Sequence, residues 1–245
     1  MRKTLLATGA LLLASLLHAE DAKSSYAITT DFTYASEYIF RGVEQQDQAF
    51  QPSVTFTKDT LSLGVWTSQA ITNKNLVWAE GSEIDLWGGY GIPFAEKYTF
   101  TVGGTYYLYP SARASLGEPD STYELSAGVS GPVGPLTGTA TYFHDFKLKA
   151  NTFEFTLAYS VPLTDKNSTF DLSAVYGFNN ITDGNGDLPG TGGVDYRYYC
   201  LHAVYGYKLT PAATLKVGLH FSDVSKLPGA PGANTVLTVG ITTGL

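Results

Sequence analysis

The stretch YAITTDFTYASEYIF, running from Tyr26 to Phe40, decides how the rest of the chain is read. Its even positions, among them Tyr26, Ile28, Phe32, Tyr34, Tyr38 and Phe40, are mostly aromatic or aliphatic. The odd positions, Thr29, Asp31, Thr33, Ala35 and Glu37, are small, hydroxylic or charged, and Arg41 follows in the same parity. A period of two means one long strand with two unlike faces. An apolar outside and a wet inside is what a barrel staved in lipid presents.

Working outward, the same alternation recurs about a dozen times. Phe50, Val54 and Phe56 alternate with Gln51, Ser53 and Thr55; Leu61, Leu63 and Val65 alternate with Ser62, Gly64 and Trp66. Ile84, Leu86 and Tyr90 then alternate with Glu83, Asp85, Trp87 and Gly89, and similar runs continue to the last, Thr235 to Leu245. The connections go long, short, long, short. Polar stretches at 42–48, 69–81, 110–120, 144–151, 179–193 and 223–233 are interleaved with tight turns such as Lys58-Asp59 and 93–97. That rhythm predicts an all-β fold, a transmembrane antiparallel up-and-down β-barrel of about 12 strands with both termini on the periplasmic side. The repeating unit is the hairpin, not the 20 to 50 residues of a solenoid or propeller.

The first residues read as a leader. Met1, Arg2 and Lys3 precede an apolar run from Leu5 to Leu17 and small residues at Ala19, so residues 1–19 are expected to be a signal peptide cut after Ala19. The apolar run is shorter than the roughly 20 residues of a spanning helix. Residues 20–245 then form one barrel domain, with thirteen basic against 22 acidic residues. Such an acidic chain argues against nucleic acid as a partner. Charged residues make up only 15% of the sequence, and Tyr and Phe number 17 and 13. A soluble barrel would carry many Lys and Glu on its outer face, whereas the polar parity here is mainly Thr, Ser, Gly and Ala. The single Cys200 excludes an internal disulfide, leaving backbone pairing to hold the exported fold.

Ser36, Tyr38, Phe40, Arg41, Gly42 and Gln45 together resemble the early strand of the TorF porin family, and EIDLWGGY at Glu83–Tyr90 is similar to a second stretch of that family. The resemblance implies an outer-membrane β-barrel with a transport role.

With the apolar parity on lipid, the other parity lines the lumen. The pore-lining candidates are Asp31, Glu37, Arg41, Glu83, Asp85, Glu124, Glu154, Asp171 and Lys216. Glu83, Glu124 and Glu154 each open a strand at its loop end and are expected to form a partial acidic ring that favours cations; alternatively they pair with Arg41, Arg197 and Lys216. An aromatic patch on the lumen parity, Trp66, Trp87, Tyr107 and Tyr109, offers faces for a ring-shaped solute or else covers nearby glycines.

No catalytic constellation is expected: His202 and His220 are the candidates with Ser222 nearby, but His220 and Ser222 share the lumen parity with Lys216, away from the lipid face an outer-membrane hydrolase would use. No metal site or cofactor is expected either. Asp183, Asn185 and Asp187 open like a calcium loop, but Leu188 stands where its glycine belongs and Val194 where its closing Glu belongs.

The expected protein is therefore a porin of the bacterial outer membrane passing small polar solutes or ions. Its partners are outer-membrane lipid, those solutes and, during biogenesis, the barrel-assembly machinery. The alternative is a non-conducting barrel, plugged by side chains, that acts in the envelope through its long outer loops.

Overall fold

The computed structural model describes residues 26–72, 82–112, 120–181, 194–225 and 232–244. The expected leader and the sequence Asp183, Asn185 and Asp187 lie outside these residues. The chain forms β1 (Ala27–Ala35), β2 (Tyr38–Phe40), β3 (Val43–Gln46), β4 (Ala49–Lys58) and β5 (Leu61–Ala70). It continues through β6 (Ser82–Phe94), β7 (Tyr98–Leu108), β8 (Ser121–Val133), β9 (Leu136–Asp145) and β10 (Ala150–Val161). The last four strands are β11 (Ser168–Ile181), β12 (Val194–Thr210), β13 (Ala213–Ser225) and β14 (Asn234–Gly244). Twelve of these, β1 and β4 to β14, make a closed antiparallel barrel in chain order. Closure comes from β1 pairing with β14, Phe32 opposite Ile241, as well as with β4, Phe32 opposite Pro52. Among the described residues the barrel has no edge strand, so each of its twelve strands is paired on both sides.

The outward row is apolar all the way round. Leu125 and Leu219 are each 56% exposed, and Phe153 and Phe155 each 50%. Leu63, Val65, Leu86, Val102, Leu157, Leu201 and Val239 also face out. Aromatic side chains flank this aliphatic middle at both levels: Tyr90, Phe94 and Tyr98 toward the short turns, Tyr123, Tyr142 and Phe153 toward the loops. Tyr123 stacks on Phe146 at 5.0 Å and Tyr142 packs on Phe153 at 4.9 Å. An apolar belt with aromatic girdles is the surface a bilayer covers. In water so large a patch would associate.

The opening stretch departs from its sequence reading. The alternation predicts one strand through Phe40 and a polar loop after it, but the barrel strand stops at Ala35. The chain then folds inward as a small hairpin, β2 paired with β3, with Phe40 opposite Val43. Its tip is made by Arg41 and Gly42, both with positive φ, 47° and 81°. Tyr38 and Phe40, expected on the lipid face, are buried inside the barrel, Phe40 completely. The alternation survives the break because these side chains have an apolar neighbourhood of another kind: Tyr38, Phe40 and Ala49 form one buried cluster with Trp66 against it.

Candidate functional site

The hairpin reaches across the lumen at its loop end and touches the wall at β4, β5, β8, β9, β12 and β13. On one side Tyr38 packs on Trp66 of β5, ring centroids 5.3 Å apart. At its base Gln46 accepts a hydrogen bond from Ser68 of β5 at 2.6 Å. On the far side Val43 packs on a buried cluster drawn from Leu148, Ala150, Val175, Ile181, Tyr196, Tyr198 and Cys200. Gly42 sits so close to β12 and β13 that a Cβ there would lie 2.6 Å from the Tyr198 Cβ and 3.2 Å from the Asp223 carbonyl. Only glycine fits, on both space and dihedral grounds.

Arg41 is the anchor. Its Nη1 and Nη2 donate to Glu124 Oε2 and Oε1 of β8 at 2.9 and 3.1 Å, a two-pronged ion pair with both side chains buried. The guanidinium carbon lies 4.9 Å from the Phe40 ring centre and 4.7 Å from that of Phe143 on β9. Tyr107 donates a further hydrogen bond to Glu124 Oε1 at 3.2 Å. A planar, permanently charged fork between two rings and a carboxylate is a site that lysine would not fill.

The barrel wall completes the closure. Tyr198 lies against Gly177 and donates to Glu154 Oε2 at 2.7 Å. Asn179 donates to the Tyr196 hydroxyl at 2.9 Å, and Thr122 to Asp145 at 2.6 Å. These loop-end lumen residues are all buried. Toward the turns the lumen side chains are different in kind and in exposure. Thr99, Thr101, Thr139, Asp171, Thr214 and Lys216 are half-buried, and Thr137 and Ser160 are exposed. The interior is thus dry at one end and wet at the other.

Of the lumen candidates, Glu83, Asp85, Glu124 and Glu154 are buried at the loop end, and Asp171 and Lys216 lie near the turns. Asp31 accepts hydrogen bonds from Thr33 and Thr242, and Asp171 accepts one from Ser160 at 2.6 Å. Glu37 and Arg41 belong to the hairpin connection rather than to the wall. The expected acidic ring is brought to one level but is not a ring of free charges: Glu124 is held by Arg41 and Glu154 by Tyr198, while Oε1 of Glu83 is buried with no hydrogen-bond partner among the described residues. Arg197, one of the cations considered for these acids, points outward over the Phe178 ring at 5.4 Å.

The aromatic patch is likewise occupied. Trp66 carries Tyr38, the Trp87 ring lies over Gly64, Tyr107 binds Glu124, and Tyr109 is buried. Phe143 and Tyr198, which the sequence reading passed over, and Phe40 and Gly42, which it gave no place in the lumen, prove central to the closure. Their one signal was Arg41-Gly42, turn chemistry placed directly after an aromatic residue.

The hairpin connection lies outside the spanning strands and carries its own charges. Burial, and then Asp47, push the Glu37 carboxyl above its ordinary range; Glu44 is pushed up by burial and then by Glu37 and Asp47. Glu37 and Glu44 on one short connection therefore resist full ionisation.

The chain matches, over residues 19–222, a family described as "Bacterial protein of unknown function (Gcw_chp)". It belongs to the Gcw_chp family. No curated protein matches this Gcw_chp chain. Among solved structures it is similar to the KdgM porin at TM-score 0.56 and 12% identity, covering 89% of this chain and 98% of that one. The NanC porin follows at TM-score 0.53 and 12% identity, covering 89% and 100%. The COG4313 outer membrane channel from Pseudomonas putida F1 is similar at TM-score 0.51 and 11% identity, covering 94% and 98%. At these identities the likeness is one of fold, and the fold of this Gcw_chp chain is that of outer-membrane porins and channels.

Proposed function

We propose that this chain is an outer-membrane porin of the Gram-negative envelope that passes small polar solutes or ions, with the hairpin β2–β3 as its constriction. One observation carries the reading: the lumen is polar and water-accessible toward the turns, and what closes it toward the loops is a separate hairpin seated on the wall. A barrel needed only as a scaffold would be filled from its own strands. The apolar belt supports residence in the outer membrane, and the resemblance at Ser36–Gln45 and Glu83–Tyr90 supports kinship with the TorF porins.

Cation preference belongs to the same proposal in a narrower form. With Glu124 compensated by Arg41, selectivity would rest on Glu83, Asp85 and Glu154 at the constriction and on Asp31 and Asp171 against Lys216 below it. The aromatic residues Trp66 and Trp87 then act as supports for the hairpin and the wall, not as a platform for a sugar.

The filled loop end favours one second reading, a barrel that does not conduct and works through its outer loops. Single-channel recording of the refolded mature chain in a planar bilayer under a salt gradient separates the two. Discrete steps whose reversal potential has the sign of cation preference are expected. Folded, inserted protein that stays silent over the whole voltage range would overturn the porin reading.

A further inference from the structure

We propose that His202 and His220 form a binding site for a divalent first-row transition-metal ion, Cu(II) above the others, on the lumen wall. The two residues face each other directly across β12 and β13, and both are on the inward parity of their strands. Their Nδ1 atoms lie 2.8 Å apart and their ring centres 5.1 Å apart. Two imidazole nitrogens this close hold one thing between them, a shared proton or a metal ion.

The third partner decides which lone pairs are offered. Nε2 of His220 lies 2.9 Å from the Thr238 hydroxyl on β14. When that Nε2–H donates to Thr238, Nδ1 of His220 is left as a lone pair, and the proton between the rings is the one on His202 Nδ1. Metal binding needs that single proton moved from Nδ1 to Nε2 of His202, a tautomer change relayed by water with no net proton lost, so that both neutral rings turn their Nδ1 lone pairs onto the ion. Thr238 then serves as the outer partner that fixes ring and tautomer, as metal-bound imidazoles require. The wall makes room for this arrangement at Gly218, where a Cβ would stand 2.4 Å from both His220 Nε2 and Thr238 Oγ1.

The nitrogen spacing suits the ion. With metal–imidazole bonds of about 2.0 Å, adjacent ligands of a tetragonal ion lie about 2.8 Å apart and those of a tetrahedral ion about 3.3 Å. The described residues hold no group of three or more His, Cys, Asp or Glu that would complete a closed cage. Cys200 is one inward step up the same strand and is engaged with Ser222 at 3.4 Å. On this proposal water takes the remaining positions, which makes the site open and exchangeable. Two neutral nitrogens and water rank divalent ions in the order that ends at copper.

The site needs the folded wall and no current through it, so its test is independent of conduction. The mature chain is refolded in detergent without an affinity tag and titrated with Cu(II), followed by calorimetry and electron paramagnetic resonance. One saturable equivalent per barrel is expected, with hyperfine coupling from two imidazole nitrogens. His202→Asn and His220→Asn each weaken binding at least tenfold, Thr238→Val weakens it less, and His144→Asn at the loop rim leaves it unchanged. Heat-dependent gel mobility shows that each variant is folded. Wild-type binding no tighter than that of the His202→Asn/His220→Asn double variant overturns the proposal. Should the variants fail to fold, a wild-type spectrum lacking two-imidazole coupling overturns it equally.

Discussion

Arg41 and Glu124 stand 83 positions apart in sequence and meet as an ion pair that ties the hairpin to the wall with both side chains buried. Removing one partner of such a pair typically costs about 3–5 kcal/mol, because the other charge stays buried and unpaired, whereas replacing both by apolar residues is close to neutral. Glu124→Lys therefore places two cations face to face and should expel the hairpin, raising single-channel conductance and shifting selectivity toward anions. The double change Arg41→Met/Glu124→Met should keep conductance near the wild-type level, since Met fills the space between Phe40 and Phe143 without a charge to strand. Equal conductance in Glu124→Lys and wild type would separate the ion pair from closure. That Arg41 and Glu124 both face the interior was legible in the alternation. Their meeting was not, because nothing in the spacing of a strand says what reaches it from across a barrel.

At the scale of the element, the hairpin β2–β3 was hidden by the very pattern that revealed the barrel. Ser36 to Phe40 continues the parity of β1, and Phe40 is apolar as a lipid-facing residue would be, yet it is apolar because it packs under Arg41 and beside Ala49. Periodicity reports that a face is buried in something apolar, without saying whether that is lipid or protein. The turn at Arg41-Gly42 is the part open to a direct test. Gly42→Val combines a disfavoured dihedral with a collision against Tyr198, and the strain from the left-handed residue alone is about 1–2 kcal/mol. The variant should fold as a barrel, judged by heat-dependent gel mobility, and show more frequent or larger openings.

The same element sets a pH dependence. Burial and mutual repulsion raise the Glu37 and Glu44 carboxyls in the seated hairpin, so the seated state holds protons that the released state gives up. Seating is therefore unpenalised below the ordinary glutamate value of about 4.3 and loses stability as pH rises from there through the raised values. Open probability should increase with pH over that window, and Glu37→Gln/Glu44→Gln should flatten the curve. An open probability that falls as pH rises would contradict the assignment.

For the molecule as a whole, two faces and twelve strands were readable from sequence because lipid outside and water inside impose opposite chemistry on alternate residues, as in Leu125 against Glu124. The long and short connections gave the two ends. What alternation could not give is how the lumen is divided, wet near Thr137, Ser160 and Lys216 and dry near Tyr198 and Phe143. That division follows from a segment entering from the loop end, a long-range arrangement with no local period. Because Ala35 pairs directly with Ala49, the connection carrying the hairpin can be replaced by a short Asn-Gly turn that joins β1 to β4 without disturbing the barrel. The measurement that tests the account most directly is the single-channel conductance of that hairpinless barrel beside the wild type in the same bilayer and salt. A large, stable increase in conductance is predicted, with the wild-type closures gone. A hairpinless barrel that is folded and inserted but conducts no more than the wild type would contradict the claim that the hairpin closes the lumen.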